Sequence, residues 1–239
     1  MAKPSRQPAD AEDYRYERKY HAQGIDLAAV EALLRLHPAH FRQAFPPRFV
    51  NNLYLDSPTL SDYSAHVNGM ANRRKVRVRW YGDDAGGADR ILPRPVLELK
   101  TRRGTVGTKP SFPLAPMTRA ELLARGGALR NAVASGVPID VRELLARSLP
   151  ALFNRYHRRY LLTADGRFRL TIDTDLEFTA PRPVGLRRRH RARGLIVLEL
   201  KYARRDDDGA GHIASHLPFR LDKLSKYVHG IQALTGLGE

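Results

Sequence analysis

The sequence predicts an α+β fold built mainly on antiparallel strands, and three patterns predict it. Segments in which charged and apolar residues alternate outnumber segments with helical periodicity. Strand and helix segments do not alternate one for one, as a parallel doubly wound sheet would require. At least five of the strand segments carry charge along one face, most of it positive.

Residues 1–13 are rich in Ala, Pro and charge and read as a flexible tail ahead of a single domain, 14–239. Alternate side chains of a strand point to opposite faces. In the first strand Arg15, Glu17 and Lys19 therefore share a face opposite Tyr16, Arg18 and Tyr20. Asp26 is placed to cap a helix whose Leu27, Val30, Leu33 and Leu34 fit a 3.6-residue period, ending near Pro38. Lys75, Arg77 and Arg79 then oppose Val76, Val78 and Trp80. Thr118 with Glu121 forms a capping box for a second helix, stopped by Gly126-Gly127. Asp140 with Glu143 opens a third, which ends before Pro150. Tyr156, Arg158 and Tyr160 share a strand face; Arg167, Arg169, Thr171 and Asp173 oppose Phe168, Leu170 and Ile172. Asp222 is expected to cap the last helix, with its stripe of Leu224, Tyr227, Val228, Ile231 and Leu234. One pentapeptide recurs: Val96-Leu97-Glu98-Leu99-Lys100 returns as Val197-Leu198-Glu199-Leu200-Lys201. The echo suggests two comparable halves, although five residues alone do not establish a duplication.

Composition narrows the chemistry. At 239 residues, 42 % hydrophobic and 28 % charged, the chain can bury a real core. The longest apolar runs, such as Leu195–Leu198, are too short to span a membrane. Met1–Asp10 lacks an apolar stretch, so no secretory signal is expected and a cytoplasmic location is simplest. The absence of cysteine excludes disulfides, thiolate metal sites and cysteine nucleophiles. A net charge of +16 and a pI near 10.5 point to a polyanionic partner: nucleic acid, anionic lipid or phosphate chains.

The position of the charge is more informative than its total. An antiparallel sheet with one face in water would explain any single strand. Solvated faces usually mix charges, however, whereas arginine dominates here. Like charges opposite one another at about 6 Å and an effective dielectric near 20 cost roughly 3 kcal/mol per pair. A surface holding that many cations needs an anion. The alternative is a closed or nearly closed barrel with a basic lumen and helices over its apolar outside.

The motifs Arg15-Tyr16-Glu17-Arg18-Lys19-Tyr20, Asn51-Asn52-Leu53-Tyr54-Leu55-Asp56 and Lys75-Val76-Arg77-Val78-Arg79-Trp80-Tyr81-Gly82 come first in the chain. Leu97–Lys100, Tyr156-His157-Arg158, Arg169–Asp173, Leu198–Lys201 and Leu224-Ser225-Lys226-Tyr227 follow in order. Together they resemble the polyphosphate-polymerase domain of the vacuolar transporter chaperone (VTC) complex, over roughly residues 14–235. That family belongs to the triphosphate tunnel metalloenzymes, which include CYTH hydrolases and adenylate cyclases. The resemblance implies an antiparallel barrel tunnel flanked by short helices, which binds triphosphate with Mn²⁺ or Mg²⁺. It implies Lys19, Arg77, Arg79, Lys100, Arg158, Arg169, Lys201 and Lys226 as catalytic phosphate ligands. Arg15, Lys75, Lys223 and Ser225 follow as secondary phosphate contacts. Glu199 is implied as the main metal ligand, with Glu17 and Glu98 in support. Arginine forks suit phosphate oxygens, and hard divalent ions need only one or two carboxylates besides phosphate.

The expected activity is ATP-dependent synthesis of polyphosphate, with ATP and polyphosphate or triphosphate as partners and no specific nucleic acid. The tunnel hydrolases carry Glu-x-Glu-x-Lys, and Arg15 occupies the first glutamate position. That favours the polymerase branch over a two-metal hydrolytic site. The regulatory SPX domain and membrane segments of the eukaryotic complex are not found in this sequence, so any membrane-protein partner is expected to be encoded separately. One rival is a tripolyphosphatase or nucleoside triphosphatase using water in the same tunnel. The other is a non-catalytic polyanion binder for polyphosphate or RNA, against which Glu17, Glu98 and Glu199 count. Gly104–Ser111 lacks the spacing of a phosphate-binding loop. The His212/His216 pair reads as incidental, the basic run Leu186–Arg193 as a solvated loop, and Tyr14, Tyr16, Tyr20 and Tyr81 as packing residues.

Overall fold

A computed structural model describes residues 15–83, 89–104, 106–181 and 188–236. The tail 1–13, Tyr14, the side chain of Arg15, and Leu186 and Arg187 of the basic run lie outside the described residues. The architecture is mixed α+β with a large antiparallel sheet, as expected. The chain divides into two compact units, one comprising residues up to Pro47, Arg158–Thr174 and Gly194–Leu224. The other comprises Arg48–His157, Asp175–Arg193 and the residues from Ser225.

The first unit contains β1 (Arg15–Ala22), α1 (Leu27–Leu36) and the start of β2 (Arg42–Asp56). The second contains the rest of β2, then α2 (Ser61–Val67), β3 (Asn72–Tyr81), β4 (Val96–Arg103), β5 (Val106–Thr108) and β6 (Ser111–Pro113). It continues with α3 (Arg119–Leu123), α4 (Gly127–Ala134), α5 (Ile139–Ala146) and most of β7 (Leu149–Leu162). The chain then passes through β8 (Arg169–Thr179), β9 (Arg189–Arg191), β10 (Ile196–Ala203), α6 (Asp207–Ser215), β11 (Arg220–Asp222) and α7 (Lys226–Thr235). The strand order is β11-β1-β10-β8-β7-β2-β3-β4-β5, with β6 on β4 and β9 on β8. Among the described residues this order is an open path: β11 and β5 end it and do not pair with each other. No helix among them is long and apolar enough to cross a membrane.

In the first unit the apolar strand faces carry Tyr20, Leu170, Ile172, Leu198 and Leu200 into a core shared with Val30 and Leu34 of α1 and Ile213 of α6. Asp26 caps α1 as expected, accepting from the Ala29 amide at 2.7 Å. Arg18 points to this apolar side because Tyr202 and Asp207 accept its guanidinium, at 2.9 and 3.3 Å. Arg167 departs from the expected alternation. It precedes β8 and gives Nε and Nη2 to Asp206, at 2.8 and 2.6 Å.

In the second unit Val76, Val78, Trp80, Leu97 and Leu99 pack against α3, α4 and α5. Both bonds of the Thr118/Glu121 capping box form. Gly126-Gly127 does not simply stop the chain there. Gly126 takes a left-handed φ of 73° and α4 starts at Gly127, where a Cβ would strike the Glu121 carbonyl. Asp140 lies within the first turn of α5, whose cap position is Pro138. Ser225, rather than Asp222, caps α7 and accepts from the Val228 amide at 3.3 Å. Asp222 ends β11, where its carboxylate meets His21 Nδ1 at 3.0 Å. Gly230 lets α7 lie flat on the sheet: a Cβ there would come within 2.5 Å of Phe178 and 2.6 Å of Leu152.

Candidate functional site

The first unit gathers one charged face across three adjacent strands. Registers pair Glu17 with Lys201 and Lys19 with Glu199 between β1 and β10. Between β10 and β8 they pair Glu199 with Thr171 and Lys201 with Arg169. Paired residues point to the same side of a sheet, so acids and bases form a checkerboard. Lys19 meets Glu17 at 2.8 Å, and Lys201 meets Glu199 at 3.2 Å. The Glu17 carboxyl is a close neighbour of the Glu199 carboxyl. Burial by itself would raise the Glu199 pKa. Lys201, Arg158 and Lys19 outweigh it and hold the group well below the usual carboxylate range.

Arg158 is committed more tightly than sequence reasoning anticipates. Its Nε and Nη2 form a two-pronged bond with the fully buried Asp173, at 2.6 and 2.7 Å. Nη2 also lies 3.5 Å from Glu199. Asp173 thus orients a guanidinium at the edge of the Glu199 carboxylate. Arg169 is exposed and has no ion-pair partner among the described residues, and Lys223 is exposed beyond β11.

The second unit builds a different face from β2, β3, β4 and β7. Its registers set Asn52 against Arg79, Tyr54 against Arg77, Arg77 against Glu98 and Lys75 against Lys100. Glu98 is enclosed by cations: Arg77 at 2.6 Å, Lys109 at 2.7 Å and Arg79 at 3.8 Å. Burial opposes its ionisation, yet Arg77, Arg79 and Lys109 bring its pKa down to about 2. Burial likewise lowers Lys109, against the pull of Glu98. Arg77 stays charged, because Tyr54 and Glu98 outweigh its burial. Lys75 donates to Ser225 Oγ at 2.9 Å, and Lys226 Nζ sits 5.0 Å above the Tyr156 ring. The expected phosphate ligands therefore fall into two sets. Lys19, Arg158, Arg169 and Lys201 belong to the first unit, and Arg77, Arg79, Lys100 and Lys226 to the second.

Sequence reasoning did not pick out Asn52, Tyr54, Asn154, Tyr156, Asp173 or Lys109 as partners in these faces. Asp173 falls on the polar face read from the alternation and Asn52 in the Asn51–Asp56 motif, but their partners emerge only from strand register. His212 lies on α6 and His216 at its C-cap, with ring centroids 4.9 Å apart. Among the described residues no three His, Asp or Glu groups gather to hold a metal by themselves. Glu17 and Glu199 nevertheless suit a hard divalent ion. Their carboxyls are close neighbours, and the Thr171 hydroxyl opposite Glu199 is buried without a hydrogen-bond partner. Such a site needs phosphate oxygens to complete it. Glu98 is less suited, since both its oxygens already accept from cations.

A family model for the VTC domain matches residues 14–235. The chain belongs to the VTC domain family. No curated protein matches this VTC domain in sequence. Among solved structures it is similar to a protein from Pyrococcus horikoshii OT3, at 11 % identity and a TM-score of 0.48, covering 93 % of this chain and 99 % of that one. It is also similar to a Hippeastrum protein described as having a dominant triphosphatase activity, at 16 % identity and a TM-score of 0.44, covering 89 % and 93 %. A candidate adenylate cyclase from Bacillus halodurans shares 10 % identity, with a TM-score of 0.48, covering 87 % and 92 %.

Proposed function

We propose that this VTC domain is an ATP-dependent polyphosphate polymerase working through a triphosphate-binding tunnel, and that it acts in the cytoplasm. The observation that supports it best is the group of cations in the second unit: Arg77, Arg79 and Lys109 around the buried Glu98, with Lys75, Lys100 and Lys226 in the same unit. Family membership makes phosphate chains the natural anion for that group. Arg77 and Arg79 have rigidly held guanidinium groups suited to bind and orient phosphate oxygens. In the same unit Lys75, Lys100 and Lys226 add charge without a fixed angle, and in the first unit Lys19, Arg169 and Lys201 are further cations expected to bind phosphate.

Glu199, with Glu17, would hold Mn²⁺ or Mg²⁺, which when bound neutralises charge on the triphosphate. Arg158, fixed by Asp173, keeps Glu199 ionised and in place. In the reaction a terminal oxygen of the phosphate chain attacks the γ-phosphorus of ATP in line. The bond from that phosphorus to the β-γ bridging oxygen breaks, and ADP leaves with its electron pair. The attacking oxygen is already anionic, so no side chain has to remove a proton. The protein contributes position and charge. Incubation with γ-labelled ATP and Mn²⁺, resolved on a gel, tests the reading. Label should enter long polymer; label released only as orthophosphate would make the domain a hydrolase.

A further inference from the structure

Arg77 and Arg79 stand two residues apart on β3 and face the same side, but their partners differ in kind. Arg77 spends its charge on a carboxylate, giving Nε to Glu98 at 2.7 Å and Nη2 at 2.6 Å. Arg79 gives Nε to Asn52 Oδ1 at 2.8 Å and Nη2 to the Tyr156 hydroxyl at 3.4 Å. Its nearest carboxylate oxygen, on Glu98, is 3.8 Å away and already taken by Arg77. Asn52 is fully buried, and its own Nδ2 donates to the equally buried Asn154 at 2.9 Å. A neutral acceptor fixes the angle of a guanidinium without cancelling its charge.

A second observation separates this pair from ordinary core packing. The Nδ2 of Asn154 is buried without an acceptor, and a buried donor left unmade costs about 1–3 kcal/mol. Two apolar residues of similar shape would serve stability better. Polar groups retained at such a cost concentrate where function requires them. We propose that Asn52 and Asn154 are positioning residues that hold Arg79 through neutral acceptors, with Glu98 beyond hydrogen-bond distance, so that its charge is directed to a phosphate oxygen of the bound chain. The proposal rests on the phosphate reading of this face. It also gives a role to the Asn51-Asn52-Leu53-Tyr54 motif, to which the reaction itself assigns none.

Asn52→Asp tests it, because aspartate keeps the acceptor for Arg79 and the shape while adding a carboxylate charge; the lost Nδ2 donor is replaced when the Asn154 amide turns and gives its own Nδ2 to the new carboxylate. Tripolyphosphate binding without metal, measured by calorimetry, should weaken about tenfold or more, since an ion pair now competes for Arg79. The melting temperature should hold or rise. A folded Asn52→Asp protein that binds within twofold of the parent overturns the proposal. Should that variant not fold, Arg79→Met is compared with the double variant Arg77→Met/Glu98→Met, which removes a neutral pair and conserves net charge. Arg79→Met should lose more affinity; the reverse order overturns the proposal. Both measurements read binding and not synthesis. Failure to make polymer would therefore refute the polymerase reading alone, whereas unchanged binding in Asn52→Asp would refute the positioning role alone.

Discussion

The pentapeptide Val-Leu-Glu-Leu-Lys occurs twice, opening β4 and forming the middle of β10, yet the two glutamates meet different surroundings. Glu98 lies beside β3, which contributes Arg77 and Arg79, and it accepts from Lys109 as well. Glu199 lies beside β1, which contributes Lys19 and a second carboxylate, Glu17. The same five residues therefore set an acid among enclosing cations in one unit. In the other they set an acid beside a second carboxylate. Neighbouring strands decide the chemistry of a motif. The repeat supplies only the scaffold and the direction of the side chains.

Four substitutions would break or sharpen that contrast. The largest effect is expected at Asp173, whose only role in this account is to hold Arg158. Asp173→Asn takes from a buried guanidinium its two-pronged charge partner and should cost about 3–5 kcal/mol in denaturant unfolding. A stable variant with weakened tripolyphosphate binding would instead make Arg158 an anion ligand, and the two faces would be alike. Next comes Glu98→Gln. Its carboxyl has a folded pKa of about 2 against an ordinary 4.5, so the stability it provides is present above about pH 4.5 and lost as the pH falls towards 2. The displacement corresponds to about 3 kcal/mol. The variant should be less stable by roughly that amount at pH 7 and should converge with the parent near pH 2. A gap that persists unchanged into acid would show that Glu98 acts through shape and not charge.

Glu199→Gln should lower Mn²⁺-dependent turnover on the order of a hundredfold. Metal-free tripolyphosphate binding should persist or tighten, because a negative charge has left the face. Unchanged activity with an unchanged metal requirement would remove Glu199 from the site. The smallest effect is expected at the exposed Arg169. Arg169→Ala should weaken tripolyphosphate binding by only a factor of a few, and the difference should disappear in high salt. A loss that resists salt would place this side chain in a more enclosed setting than its exposure indicates.

The elements most legible in the sequence are those whose causes are local. The Asp26 cap and the Thr118/Glu121 box each act within three residues, and both form. The cap of α7 was less legible, because Asp222 is drawn into β11 by pairing with Lys19, about two hundred residues away in sequence. Helix α2 carries no capping side chain at its own N-cap, Leu60; Asp56 accepts the Asp62 and Tyr63 amides from the preceding strand, at 3.0 and 2.9 Å. The charged faces followed from simple alternation, since a period of two is visible residue by residue. Their internal pairing did not. That Arg79 rests on Asn52 while Arg77 rests on Glu98 depends on strand register and side-chain reach, which no local pattern encodes.

Gly230 gives the site a control that involves no charge at all. It seats α7 against Phe178 and Leu152, and the same helix begins with Ser225, which accepts from Lys75, and Lys226, which lies over Tyr156. Adding a methyl group at 230 would push against two core side chains and lift the helix, and Ser225 and Lys226 would move with it. The proposed grip on phosphate would thus be partly a mechanical setting, adjusted in an oily seam by the presence or absence of one carbon atom. A survey confined to lysines, arginines and glutamates would pass over it.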